Sequence, residues 1–174
     1  MSICLSQRRG SGGRLFKVTE RRREYTITKD HHSIKETADL KANVNYNIGG
    51  NQGCLWDLSW TISISLGSFG IDHVIDDKGQ AGELIGDAII AGVAFDVYRV
   101  NRPTGAPFIA WIFQARETQT SFEGDLVDFL QWPVDNQNAR IGCISSLQAG
   151  LDIYGGSEGL FTTEKYSLKQ ILSD

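Results

Sequence analysis

The sequence feature that most constrains the fold is an alternation of apolar and polar side chains with a period of two residues. In Ile141–Tyr154, apolar residues occupy one set of alternate positions. From Ser146 onward the other set is polar or small, and consists of Ser146, Gln148, Gly150, Asp152 and Tyr154. Successive side chains of a β-strand point to opposite faces, so this pattern predicts a strand with one buried and one polar face. The same alternation predicts strands in Leu40–Ile48 and Thr61–Leu66.

One short helix interrupts the strand pattern. In Glu123–Trp132, the apolar residues Leu126, Phe129 and Leu130 are spaced at i, i+3 and i+4, which places them on one helical face. Pro133 is expected to end this helix, because proline has no N–H to donate and disfavours helical geometry in the preceding residue. The chain is therefore predicted to be all-β, with a single short α-helix.

The charge distribution divides the chain into two parts. The first 36 of the 174 residues hold nine Lys or Arg against four Asp or Glu, whereas the whole chain has a net charge of −4. We predict a basic, disordered arm over residues 1–36 and one folded domain over residues 37–174. The acidic body argues against nucleic acid as a partner, and no apolar run reaches membrane-spanning length. We expect a monomer, and no secretory signal peptide is recognisable.

Neither a metal site nor a cofactor is predicted. Cys4, Cys54 and Cys143 are an odd number of cysteines at wide spacings, which suits neither a disulfide framework nor a metal centre. His31 and His32 form an isolated pair without a third ligand nearby in the sequence.

Two segments resemble a known family. Thr120–Phe129 (TSFEGDLVDF) and Ser145–Ser157 (SSLQAGLDIYGGS) are similar to the C-terminal third of glycoside hydrolase family 12, the endoglucanases and xyloglucanases. This resemblance implies a jelly-roll-like, concanavalin-like β-sandwich and a retaining endo-β-1,4-glucanase that acts on β-1,4-glucan or xyloglucan. It also implies an extracellular protein, and a chain that lacks the N-terminal strands of the family.

The resemblance assigns roles to individual positions. Asp152 occupies the position of the catalytic acid/base, Thr61 that of the nucleophile, and Asn47 that of an aspartate that supports the nucleophile. A threonine hydroxyl is not ionised at neutral pH and is a poor nucleophile without an adjacent base. Contacts to substrate are expected from Trp111, Gln148, Ser63 and Ser65.

Two functions follow from these altered positions. One is an endo-β-1,4-glucanase-like protein of polysaccharide catabolism, and the other is a catalytically silent β-glucan-binding or decoy protein. If the resemblance holds in detail, Thr61 and Asp152 share one face of a sheet, with side chains roughly 5–8 Å apart.

Overall fold

The computed structural model of the chain describes residues 3–4, 23–35, 41–51, 59–69, 82–102, 108–155, 160–165 and 167–172. Side chains are described for residues 44–50, 59–68, 82–100, 109–142, 144–151 and 167. None of the helices in these ranges is long and apolar enough to cross a membrane. The elements in chain order are β1 (Ile3–Cys4), β2 (Arg23–Lys35), β3 (Lys41–Asn51), β4 (Ser59–Phe69), β5 (Glu83–Ile90), β6 (Val93–Arg102), β7 (Phe108–Ala115), β8 (Ser121–Asp125), α1 (Leu126–Gln137), β9 (Cys143–Gly155), β10 (Leu160–Lys165) and β11 (Leu168–Leu172).

The strands form two sheets. Seven strands make the larger sheet in the order β1–β9–β3–β4–β7–β6–β5, in which β4 and β7 are parallel and all other neighbours are antiparallel. The smaller sheet is built around β2, which pairs with β8, β10 and β11. The prediction of an all-β sandwich with a single short helix is confirmed for the described residues.

The core lies on one face of the larger sheet. Alternate residues of β4, namely Trp60, Ile62, Ile64 and Leu66, are at most 1% exposed, as their period-two spacing predicts. They pack in one cluster with apolar residues of β6 and β7, and with residues of β8 and α1. Complete burial of each such side chain contributes about 1.5–3 kcal/mol, so this cluster dominates the stability of the fold.

The helix differs from its predicted bounds at both ends. Residues 121–125 pair with β2 as strand β8, and α1 begins only at Leu126, where the Asp125 carboxylate accepts a hydrogen bond from the backbone N–H of Val127. Pro133 lies inside α1 instead of ending it. The Pro133 ring is fully buried, and its carbonyl accepts a hydrogen bond from Ala139 N–H beyond the helix. Burial of the ring offsets part of the cost of a proline within a helix.

The expectation of a disordered arm over residues 1–36 is wrong for Arg23–Lys35, which form β2. Three neighbouring strands hydrogen-bond to this strand, and their backbone pairing explains why a basic sequence is ordered there. Ile3–Cys4 form a short strand beside β9. The remaining residues of the predicted arm lie outside the described ranges.

Candidate functional site

The larger sheet presents a polar face on the side opposite the core. Residues that are partners across neighbouring strands point to the same face, so the strand registers define rows of side chains that cross the sheet. We call the most accessible of these the central row. It crosses six strands, and therefore about 24 Å of sheet. Its members in spatial order are Gln148, Asn47, Ser63, Ile112, Tyr98 and Leu84.

One hydrogen bond organises the polar end of the central row. The Ser63 hydroxyl donates to Asn47 Oδ1 at 2.5 Å. An asparagine amide carries two N–H donors in addition to its oxygen, and these point away from that bond. The resemblance implied that the residue at position 47 supports the nucleophile position, Thr61. The hydrogen bond of Asn47 is instead to Ser63, its direct partner on β4.

Thr61 lies in an adjacent row, which contains no carboxylate. Its partner on β3 is Gly49, and the partner of Gly49 on β9 is Ser146. A Cβ atom at Gly49 would lie 2.6 Å from Ser146 Oγ, so the serine hydroxyl occupies the space above the glycine. On the other side of Thr61, the row continues through Ala110 and Val100. Thr61 therefore has no acidic neighbour within its row.

The backbone register separates Asp152 from Thr61. The Cα partner of Asp152 on β3 is Asn43, whereas the partner of Thr61 is Gly49. These two β3 residues are six positions apart, which corresponds to about 20 Å along the strand. The expectation that Thr61 and Asp152 lie within roughly 5–8 Å is therefore wrong. The pairing of β3 with both β4 and β9 displaces the two backbone positions from each other along the sheet.

The row on the other side of the central row is closed to solvent where it crosses β3 and β4. Asn45 and Ser65 are 5% and 3% exposed, and within the described residues Ser65 Oγ has no hydrogen-bond partner. The neighbouring residue on β7, Gln114, donates to Ser68 Oγ at 3.2 Å. Ser65 was predicted to contact substrate, but its burial removes it from the open part of the face.

Among the residues whose side chains are described, those with charge on the polar face lie toward β5 and β6. Asp96 accepts a hydrogen bond of 2.8 Å from Arg116 Nε and forms an ion pair of 2.7 Å with the same guanidinium. The hydrogen bond that Arg116 donates to Asp96, the negative charge of Asp96 and the more distant charge of Asp87 raise the pKa of Arg116 above its ordinary value. The central row itself contains no ionisable side chain except the tyrosine. Groups of three or more His, Cys, Asp or Glu suited to a metal ion are absent from the described part of the chain.

Trp111, from which a contact with substrate was expected, lies on the core face of the larger sheet. Trp111 is 2% exposed and belongs to the core cluster beside Ile62, so we no longer assign it a contact with substrate. Tyr98 and Ile112 occupy the polar face instead, as direct partners on β6 and β7. The alternation within β6 could have indicated this placement, because the buried Phe95 and Val97 leave residues 96 and 98 on the opposite face.

Comparison with known proteins finds relatives in sequence and in fold. No family model matches the chain. It is 29% identical to xyloglucan-specific endo-β-1,4-glucanase A of Emericella nidulans over 133 residues. These residues make up 76% of this chain and 53% of that protein. The chain is 32% identical over 134 residues to the protein of the same name from Aspergillus niger, covering 75% of this chain and 53% of the relative. The chain thus spans about half the length of the curated relatives it matches.

The fold of the chain is similar to that of solved family 12 structures. The native family 12 xyloglucanase from Bacillus licheniformis superposes with a TM-score of 0.68 at 18% identity, covering 86% of this chain and 63% of that one. The two sheets and the helix therefore define a β-sandwich of the type found in family 12 xyloglucanases. The chain is thus similar in sequence to xyloglucan-specific endo-β-1,4-glucanases and similar in fold to family 12 xyloglucanases.

Proposed function

We propose that this protein binds β-1,4-glucan chains, xyloglucan among them, on the polar face of its larger sheet, and that it binds them without hydrolysing them. The observation that carries the proposal is the central row, which is accessible across six strands and uncharged at neutral pH. A neutral polysaccharide needs hydrogen-bonding groups and apolar surface, but no charge to balance.

The polar end of the row supports this assignment. Gln148 is exposed and Asn47 is half-buried. Their side-chain amides offer donors and acceptors to sugar hydroxyls. Because Ser63 holds the Asn47 oxygen, the Asn47 amide is oriented before ligand arrives, which lowers the entropy lost on binding.

Binding without cleavage is supported by the carboxylate positions. A retaining glycosidase needs two carboxyl groups about 5–5.5 Å apart, one as nucleophile and one as acid and base. Here the nucleophile position holds Thr61, and the acid/base position, Asp152, lies about 20 Å farther along the strand direction. A millionfold loss of rate corresponds to about 8 kcal/mol of barrier. Because both the nucleophile and the required spacing of the two carboxyl groups are missing, the rate of hydrolysis is expected to fall by about that factor.

Hydrolysis is the second candidate function, because the relatives support it. The curated proteins that the chain matches are named as xyloglucan-specific endo-β-1,4-glucanases. Asp152 also retains a carboxyl group at the acid/base position. An active protein would belong to polysaccharide catabolism, with β-1,4-glucan as its substrate.

One experiment separates the two candidates. The purified full chain is titrated with soluble xyloglucan by calorimetry, and the same preparation is assayed for release of reducing ends. The proposal predicts saturable binding and no release above buffer. Turnover by the wild-type protein would establish the hydrolase, and absence of binding would refute the glucan-binding role.

A pair of variants ties binding to the central row. Asn47→Ala and Gln148→Ala each remove an amide, and each is expected to raise Kd about twofold to tenfold, since a hydrogen bond contributes about 0.5–1.5 kcal/mol. Gln131→Ala is the matched control, because this glutamine is exposed on α1, away from the polar face. Equal affinities for all three variants and the wild type would place the binding site elsewhere.

A further inference from the structure

The strand β5 forms one end of the larger sheet. Among the described strands it pairs with β6 alone, so its other side, which we call the β5 edge, faces no strand. Ile90 and Val93 pair across the two-residue turn to β6, and a pair in that position bonds inward. Because inward-bonding and outward-facing residues alternate along an antiparallel ladder, Asp87 and Ile89 direct their backbone N–H and C=O groups to the β5 edge. A further strand that joined the sheet would use these groups.

The indole of Trp132 occupies the middle of the β5 edge. Its Nε1–H donates a hydrogen bond of 3.1 Å to the backbone carbonyl of Asp87. The indole also lies against Gly86, where an added Cβ atom would come within 3.1 Å of Trp132 Cζ2. On its other side the indole packs edge-to-face on Phe113 of β7, at 5.7 Å between ring centroids. The helix α1 therefore holds this side chain in place, and one outward-facing carbonyl of β5 is already bonded.

A bulge places the exposed side chains of β5 on one face of the sheet. The register with β6 shifts between Leu84 and Gly86, which leaves Ile85 as an extra residue. Leu84, Asp87 and Ile89 are consequently the partners of residues 98, 96 and 94 of β6, which alternate with buried residues and lie on the polar face. Leu84 is 59% exposed and Ile89 is 77% exposed, and the exposed Asp87 lies between them.

This arrangement is self-complementary, so the partner that fits the β5 edge is the β5 strand of a second copy of this chain. In an antiparallel pair with a two-fold axis at Asp87, Leu84 of each copy would lie beside Ile89 of the other. Both contacts would remove exposed apolar side chains from water. Two features of the monomer oppose this pairing. The Asp87 carbonyl is bonded to Trp132, and the two Asp87 carboxylates would face each other as like charges.

We infer that the β5 edge is a self-association surface that Trp132 and Asp87 keep closed, and that opening it converts the protein into a dimer joined through two β5 strands. An edge strand with exposed apolar side chains tends to pair with another chain unless a side chain, a charge or a bulge prevents it. The β5 edge has all three: the indole on the Asp87 carbonyl, the Asp87 carboxylate and the bulge at Ile85. The inference does not depend on the proposed function, because it requires no glucan.

The test is sedimentation equilibrium of the full chain over a wide range of protein concentration. The wild type should be monomeric. Trp132→Phe keeps an aromatic ring beside Phe113 but has no N–H, so it should form a dimer. Its dimer dissociation constant should be about tenfold or more below that of the wild type, because one competing hydrogen bond is lost on each copy and each corresponds to a factor of about two to ten. Addition of Asp87→Asn should strengthen the dimer further.

Two additional changes show whether the dimer forms through the β5 edge. Ile89→Lys in the Trp132→Phe background places a charge on that edge and should restore the monomer. Gln131→Lys in the same background is the matched control, because it adds the same charge at an exposed position of α1 and should leave the dimer intact. Gly86→Ala keeps Trp132 but brings a methyl group against the indole, so it should also shift the protein toward the dimer.

Three results would overturn the inference. A folded Trp132→Phe variant that stays as monomeric as the wild type would show that the indole does not keep the edge closed. A wild type that dimerises as strongly as this variant would show the same. A Trp132→Phe dimer that persists with Ile89→Lys would place the contact elsewhere on the molecule. Thermal unfolding identifies a misfolded Trp132→Phe variant, and in that case a monomeric Gly86→Ala variant refutes the inference and a dimeric one supports it.

Discussion

Replacement of Phe129 by alanine is expected to remove one of the main contacts between α1 and the larger sheet. Phe129 is 0% exposed. Its ring centroid lies 5.1 Å from that of Phe113, 5.4 Å from that of Phe95 and 6.0 Å from that of Phe122. Phe122 belongs to β8 of the smaller sheet, so this one ring connects both sheets through the helix.

The magnitude follows from these contacts. Truncation of a buried phenylalanine to alanine costs about 3–5 kcal/mol, and an aromatic pair adds about 0.5–1.5 kcal/mol beyond its buried area. With three ring neighbours, Phe129→Ala should lie in the upper half of that range, near 4–5 kcal/mol. A domain is typically stable by only about 5–15 kcal/mol, so this substitution removes much of the total. Phe129→Leu, which refills part of the space, should cost about 1–2 kcal/mol.

Urea unfolding, followed by tryptophan fluorescence, measures these losses. With an m-value of about 2 kcal/mol/M, Phe129→Ala should lower the midpoint by about 2 M. Val134→Ala, on the same helix but only half-buried, is the control and should cost about 1 kcal/mol or less. If Phe129→Ala costs no more than Val134→Ala, the aromatic cluster does not hold the helix on the sheet, and the reasoning is refuted.

Two further predictions concern local backbone geometry. Asp125→Ala should destabilise the protein by about 1 kcal/mol in thermal or urea unfolding, because it removes the acceptor for Val127 N–H at the start of α1. Asp125→Asn keeps an acceptor and should be nearly neutral. Equal losses of stability for the two variants would exclude the capping role. Ala91 has a φ of 51° in the turn between β5 and β6, so Ala91→Gly should raise the unfolding midpoint by relieving about 1 kcal/mol of strain. A lower midpoint for that variant would show that the turn is not strained.

The strands were predictable where burial is one-sided. In β4 the even-numbered residues 60–66 are apolar and the odd-numbered ones from 59 to 65 are hydroxyl residues, so the alternation alone identified the strand and its core face. In β7 the alternation fails, because Ile109, Ala110, Trp111 and Ile112 are all apolar. The expectation that Trp111 contacts substrate came from the family resemblance, whereas the pairing of β7 with β4 and β6 places this residue beside Ile62 on the core face.

The candidate site was less predictable than the fold, because it depends on contacts between distant segments. The hydrogen bond between Asn47 and Ser63 and the offset between Thr61 and Asp152 both arise from the registers of β3 with β4 and of β3 with β9. Register is set by pairing across the sheet, and no local pattern in one strand specifies it. Pro133 illustrates the same limit, since its burial against the core keeps it within α1 despite its low helix propensity.

The central claim is that the polar face binds β-1,4-glucan and lacks the carboxylate pair needed to cleave it. Its most direct test restores the missing groups with Thr61→Glu and Asp152→Glu in one chain. Xyloglucan binding and release of reducing ends are then measured on the same preparations of this variant and the wild type. Because the two positions are about 20 Å apart along the strand direction, we expect both proteins to bind and neither to release reducing ends above buffer. Hydrolysis by the wild type, or its appearance in the double variant, would contradict the claim.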